Sequence, residues 1–113
     1  MLNKEMLLGK FERKQKTIKV KAWGGEVVIQ QLSIKEKSEI EAMIYGNATP
    51  EELREGTFKI DMNALVASRI KAVSYALVEP KLSIEDLESL TGEAGEGINE
   101  VHSALEELNT PKK

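Results

Sequence analysis

Few residues of this chain are suited to acid/base or metal chemistry. His102 is the single histidine, and Glu106 follows four positions later, so both would lie on one face of a helix. Such a pair could hold a metal or exchange a proton, but a typical metal site needs further histidine, cysteine or carboxylate ligands. The chain has no cysteine, which excludes thiol chemistry. We therefore interpret His102 as a surface or rim histidine and predict no metal site.

Two other clusters resemble active-site motifs but have simpler explanations. Three glutamates within residues 51–55 could act as paired acids, yet they lie at a predicted helix start, where the helix dipole favours acidic residues. Three glycines within residues 92–97 resemble a phosphate-binding loop, but no strand precedes them and the two interspersed glutamates would repel phosphate. We interpret this second stretch as a flexible link. The sequence thus predicts a non-enzymatic protein with no catalytic residue and no cofactor.

The residues better suited to a function are those that could contact another protein. Trp23 is the only tryptophan and lies beside a predicted turn, where it could cover lysine stems or anchor a partner, since tryptophan is enriched among binding hot spots. Large apolar residues in the first eleven positions could close over the protein's own core or onto another subunit, and own-core packing would avoid an unusual exposed patch. The candidate contact residues are Leu2, Met6, Leu7, Phe11, Lys19, Lys21 and Trp23, with Leu8 beside them.

Charge is distributed unevenly along the chain. Residues 1–22 carry seven Lys/Arg against two Glu, whereas residues 23–113 carry nine Lys/Arg against seventeen Asp/Glu. A basic segment on an acidic body could bind nucleic acid or dock on the acidic face of a second copy. The basic segment alternates lysine with aliphatic residues and lacks the interleaved aromatics that stack on bases. We therefore expect self-association and do not expect nucleic-acid binding.

The candidate contact residues Lys19, Lys21 and Trp23 lie in a predicted β-hairpin. Residues 17–22 alternate polar and apolar side chains, and Gly24-Gly25 supplies the conformational freedom that a two-residue turn requires. This register would pair Val20 with Ile29 and place the apolar side chains on one buried face. Trp23 would then lie on the opposite face.

Helical signals follow the hairpin. Ser33, Thr49 and Ser83 each begin a capping pattern, and Gly46 is predicted to end the first of these helices in a left-handed conformation. The longest apolar stripe predicts a central core helix over residues 61–79 that ends before Pro80. Its stripe comprises Met62, Val66, Ile70, Val73 and Leu77. A last amphipathic helix is expected after residue 97.

These patterns predict a single α+β domain over residues 1–113, with an N-terminal β-hairpin and a mostly α-helical body of about four to five helices. Its parts are a basic amphipathic arm (1–15), the hairpin (16–32), the helical body (33–108) and a tail (109–113). At 41% hydrophobic and 31% charged residues, the composition argues against both a membrane span and a disordered chain. The charged N-terminus does not resemble a signal peptide, so we expect a cytoplasmic protein.

The order of these elements over roughly residues 16–108 resembles the tail assembly chaperones of long-tailed, non-contractile bacteriophages. The segments that carry the resemblance are Val20 to Ser33, with its Trp-Gly-Gly turn, and Ala76 to Leu90, with Val-Glu-Pro-Lys-Leu. The resemblance implies a chaperone in the host bacterial cytoplasm that binds the phage tape measure protein and keeps it soluble for tail tube assembly. It implies several copies on one client, and contact with the tail tube protein as a further expectation.

Two hypotheses from other classes stay open at this point. A small regulatory or nucleic-acid-binding protein would use the basic N-terminal segment, and its binding would depend strongly on salt. A hydrolase would use the acidic helices and would need converging carboxylates with raised pKa values.

Overall fold

The computed structural model describes residues 1–10 and 13–110. Its strands form one antiparallel sheet in the order β1-β2-β3. The elements in chain order are α1 (Lys4–Lys10), β1 (Gln15–Val20), a 3-10 turn (Lys21–Trp23), β2 (Gly25–Gln30), α2 (Ile34–Tyr45), α3 (Pro50–Glu55), α4 (Met62–Ala76), β3 (Leu77–Glu79), α5 (Ile84–Glu88) and α6 (Glu93–Asn109). The predicted α+β class is confirmed, and five helices follow the hairpin. None of the helices within the described residues is long and apolar enough to cross a membrane.

The core lies between one face of the sheet and the helices α4, α5 and α6. Burial of apolar surface there is the main stabilising term of the fold. The buried hydrophobic residues are Val20, Val27, Ile29, Ala72, Val73, Ala76, Leu77, Leu87, Val101 and Leu105. Helix α2 packs along α4 on the outside, where the Tyr75 hydroxyl donates a hydrogen bond to Glu39 and Lys71 lies 3.6 Å from the same carboxylate. The hydrogen bond from Tyr75 is the main cause that lowers the pKa of Glu39.

The hairpin forms as predicted, but through a longer connection. Lys21–Trp23 make a 3-10 turn and Gly24 follows with φ 69°, so Val20 pairs with Gly25 rather than with Ile29. The predicted two-residue loop and its register are therefore wrong. The predicted buried face is nevertheless correct, because the true register differs from the predicted one by an even number of residues.

The capping patterns predict the helix starts correctly. Ser33, Thr49 and Ser83 each form a capping box, in which the cap side chain and the acidic side chain three residues later both accept backbone N–H groups. Gly46 at the end of α2 has φ −60° and is right-handed, so the predicted left-handed stop is wrong there. The left-handed stop occurs instead at Gly56, which ends α3 with φ 71°.

The central helix α4 ends earlier than predicted. It stops at Ala76, and Leu77–Glu79 pair with β2 as a third strand. Pro80 disfavours helical geometry at the preceding residue, and the free edge of β2 supplies backbone partners for the extended segment. The sheet therefore has a third strand beyond the predicted hairpin, formed by residues that were predicted to be helical.

The buried face of α4 also differs from the predicted stripe. Met62 and Val66 are 67% and 52% exposed. The residues of α4 that are buried are Ser68, Ala72, Val73 and Ala76. The elements that pack on α4, chiefly α2 and α6, determine which of its faces is buried.

The glycine-rich stretch 92–97 is not the predicted flexible link. Gly92, with φ 57°, directly precedes α6, and the helix runs without interruption from Glu93 to Asn109. Glycine disfavours a helix interior by about 1 kcal/mol relative to alanine. The helix forms there because the hairpin turn packs against its first turns.

Candidate protein-contact surfaces

The N-terminal arm is a short helix with uncovered apolar side chains. Asn3 caps it, since its side-chain oxygen accepts the backbone N–H of Met6 at 2.8 Å. Leu2, Met6, Leu7 and Leu8 are 61%, 54%, 45% and 60% exposed. Within the described residues, α1 makes no extensive packing contact with another element. These side chains form an apolar surface of the kind that marks protein–protein contact sites.

The arm therefore does not pack onto its own core as one of the two sequence interpretations expected. That interpretation is wrong for Leu2, Met6, Leu7 and Leu8, which are exposed and do not belong to the core cluster or to the residues packed against it. Phe11, the remaining candidate of the arm, lies outside the described residues. The other interpretation, contact with another chain, is the one that this exposure favours.

Trp23 is anchored within the protein instead of lying on the outer face of the hairpin. Its indole Nε1–H donates to the carbonyl oxygen of Ala94 at 2.7 Å, and its ring packs against Gly97. A Cβ at Gly97 would collide with the indole, so the close approach requires glycine at this position. The predicted outward orientation is wrong because the strand alternation stops at Val20 and the 3-10 turn redirects the side chain.

Glu100 fixes the same turn from α6. Its two carboxylate oxygens accept the backbone N–H groups of Lys21 and Ala22, each at 3.0 Å. Both N–H groups lie at the start of the 3-10 turn, where no preceding turn supplies an acceptor. Lys21 and the other basic candidate, Lys19, are exposed. Lys19 is the cross-strand partner of Glu26, which places opposite charges side by side.

Sequence reasoning missed the α6 side of this contact. Ala94, Gly97 and Glu100 recur at intervals of three, so two small residues and one acid share a helix face. That spacing could have identified this helix face. The glycines instead led to the prediction of a flexible link, so no helix was predicted over residues 92–97.

The structure does not bring all of the predicted contact residues together. The arm enters the sheet at the start of β1, whereas Trp23 and Lys21 lie beyond its end. A six-residue strand spans about 20 Å. The arm precedes β1 and the turn follows it, so the whole length of this strand separates the two candidate surfaces along the chain.

An apolar cleft opens beside the anchored tryptophan. Its volume is about 330 Å³. The residues that line it are Trp23, Gly25, Glu26, Val27, Pro80, Leu82 and Leu90. Glu26 is the one charged residue of this lining. The cleft has the size and polarity to take apolar side chains of a partner.

The candidate acid/base pair lies on α6, away from the Trp23 contact. His102 is half-buried, and its Nδ1 lies 3.2 Å from Glu106 Oε1. Burial lowers the pKa of His102, the Glu106 carboxylate opposes this effect, and the nearby Arg69 cation reinforces it. Within residues 1–10 and 13–110, no group of three potential ligands is placed to hold a metal ion.

Comparisons with protein-family models, with curated proteins and with solved structures give no match to this chain.

Proposed function

We propose that this protein is a non-enzymatic phage tail assembly chaperone that binds the tape measure protein in the host bacterial cytoplasm and keeps it soluble. The resemblance over residues 16–108 supplies the identity of the client. The observation that supports the proposal best is the apolar surface of α1, where Leu2, Met6, Leu7 and Leu8 are between 45% and 61% exposed. A client that is long, helical and aggregation-prone presents amphipathic helices, which bind to apolar partner surfaces.

The contrast between the exposed arm and the packed body of the protein supports this role. The arm is held by local helix contacts and its own cap, while the body behind it has a buried core. An arm with little internal packing can adopt the geometry that a client requires without loss of core contacts. Self-association of copies along one client and contact with the tail tube protein belong to the same proposal.

Co-expression with the long helical open reading frame expected beside this gene tests the proposal. The intact chain is compared with the triple variant Leu2→Ser/Met6→Ser/Leu7→Ser, which removes the apolar surface of the arm. A matched control places serine at three exposed apolar residues elsewhere, Ile34, Leu53 and Ile84. We expect the intact chain and the control to raise the soluble yield of the client and to co-purify with it, and the arm variant to lose both effects.

Two results would contradict the proposal. One is an unchanged soluble yield of the client in the presence of the intact chain. The other is tight, strongly salt-dependent binding of DNA or RNA by the intact chain, which would favour the nucleic-acid-binding alternative.

A further inference from the structure

The first half of α4 carries an apolar row that no element of its own chain covers fully. Met62 and Val66 are four residues apart, so they lie on one helix face, and they are 67% and 52% exposed. Ile70 continues the same row and is half-buried at the edge of the core. Apolar side chains at this spacing are the pattern with which one helix contacts another.

Val66 and Ile70 of this row line a groove between α4 and α6. The groove has a volume of about 260 Å³. Its lining residues are Val66, Arg69 and Ile70 from α4, and Gly95, Ile98 and Asn99 from α6. A Cβ at Gly95 would meet no atom within 4 Å, so the α6 wall is open on this side.

Arg69, which lines the groove, has an unpaired donor. Its Nε is shielded from solvent and has no hydrogen-bond partner among the described residues. The ion pairs between described residues also leave Arg69 out. Buried donors are almost always paired, because an unpaired one loses its hydrogen bonds to water without a replacement. A carboxylate is the partner that a guanidinium binds most strongly.

No acidic residue described in α6 forms an ion pair with Arg69. Glu106 lies against His102, whose pKa the Arg69 cation helps to lower. Glu93, Glu96 and Glu100 line a separate cavity together with Lys21, and Glu100 is occupied by the backbone of the hairpin turn. The positive charge of Arg69 is therefore available to a ligand that enters between α4 and α6.

We propose that this groove binds an amphipathic helix of the client, with apolar side chains on Val66, Ile70 and Met62 and a carboxylate on Arg69. The identification of the occupant as a client helix rests on the proposed function. The chemistry of the occupant rests on the groove itself: apolar walls select apolar side chains, and the unpaired guanidinium selects an acidic residue beside them. The site thus defines a sequence preference, namely an acid that interrupts the apolar stripe of a helix.

The test uses the intact chain and two labelled 18-residue helical peptides with one leucine stripe. They differ at a single position at the edge of the stripe, which is Glu in one peptide and Lys in the other. Fluorescence anisotropy should give an affinity for the Glu peptide about tenfold higher, since a charge-assisted hydrogen bond is gained in one case and a cation faces Arg69 in the other. Arg69→Glu should reverse the preference, which a purely structural role of Arg69 would not do.

Two further variants separate the groove from other apolar surfaces. Val66→Glu should weaken the binding of the Glu peptide at least tenfold, whereas Ile34→Glu, a matched change at an 86% exposed isoleucine of α2, should leave it unchanged. Circular dichroism and thermal melting verify that each variant is folded. Equal affinity for the two peptides, or equal loss of both with Arg69→Glu, would overturn the proposal.

The identity of the molecule that occupies the groove is tested separately from the preference of the groove for an acidic residue. If Val66→Glu abolishes self-association of the chain without changing peptide binding, the groove belongs to a second copy and the proposal is overturned. If the peptides bind as expected but the client stays insoluble in co-expression, the groove chemistry holds and the proposed chaperone function fails. Loss of client co-purification with Val66→Glu, together with the Glu preference, supports both.

Discussion

The N-terminal arm and the hairpin turn both carry large apolar side chains, but only the turn is packed against another element. Trp23 is hydrogen-bonded to Ala94 and lies on Gly97, and the backbone of its turn is bonded to Glu100. The arm has its own cap at Asn3 and exposed leucine and methionine side chains. The two regions differ because α6 contacts the turn through Gly97 and Glu100. No described element makes a comparable contact with the arm.

Residue type alone does not distinguish a core anchor from a contact residue. Tryptophan is typical of binding hot spots, yet here it joins the sheet to the last helix. Leucine and methionine are typical of cores, yet in the arm they are exposed. Substitutions in the turn should therefore change the free energy of unfolding, whereas substitutions in the arm should change association.

Trp23→Ala is expected to have the largest effect on stability. It removes the ring that covers Gly97 and leaves the Ala94 carbonyl without its donor, so we expect a loss of about 2–4 kcal/mol in the free energy of unfolding. Urea unfolding followed by circular dichroism measures it. Leu7→Ala in the arm is the comparison and should change stability by less than about 0.5 kcal/mol. Similar losses of unfolding free energy in Trp23→Ala and Leu7→Ala would show that the turn does not contribute more to stability than the arm.

Gly97→Ala should be the next most damaging change. The added Cβ collides with the indole of Trp23, so the ring must move off its hydrogen bond, at a cost of about 1–3 kcal/mol. Gly95→Ala, two residues earlier on the same helix, meets open space and should stabilise the protein by about 0.5–1 kcal/mol. Because Trp23 is the only tryptophan, its emission should shift to longer wavelength in the first variant alone. An unshifted emission in Gly97→Ala would contradict the close contact.

Glu100→Ala should have a smaller effect. It removes the acceptor of two backbone N–H groups, which water can partly replace because the turn is at the surface, so we expect a loss of about 1–2 kcal/mol. The control is Glu96→Ala on the same helix, whose exposed carboxylate accepts only a long 3.5 Å bond from Asn99, with an expected change below about 0.5 kcal/mol. Thermal melting at one protein concentration compares the pair. Equal melting temperatures would show that Glu100 does not hold the turn.

The arm variant Leu2→Ser/Met6→Ser/Leu7→Ser should have the smallest effect on stability, within about 0.5 kcal/mol, because it exchanges exposed side chains. Its effect should appear in association instead. Light scattering of the intact chain is expected to show weak self-association that depends on concentration and salt, since a basic segment meets an acidic body. The variant should scatter less than the intact chain at the same concentration and salt, because it loses the apolar side chains of the arm but keeps its charges. A monomeric intact chain at high concentration and low salt would remove this prediction.

Much of the fold could be predicted because its signals are local. The capping boxes at Ser33, Thr49 and Ser83 begin helices where the pattern predicts them, since a side chain and a backbone group three residues apart suffice to form the cap. The buried face of the hairpin is also correct, because the alternation of side chains in a strand depends only on the backbone. The candidate contact residues of the arm were identified from the same local pattern of large apolar side chains.

Three of the wrong predictions concern segments whose conformation depends on a distant partner. Residues 77–79 leave the helical pattern because the edge of β2 pairs with them, and the glycine-rich stretch 92–97 becomes helical because Trp23 and its turn cover it. The buried face of α4 is determined by the elements that pack on it, and Met62 and Val66 remain at the surface.

The sequence by itself determined the α+β class, the helix starts, the inner face of the hairpin and the uneven charge, because each depends on residues that are neighbours along the chain or on composition alone. The tertiary structure decided which apolar residues are covered. It placed Trp23 against Gly97, left the arm exposed and opened the groove at Arg69, because burial depends on which elements meet, and those contacts join residues more than seventy positions apart in the turn–α6 case.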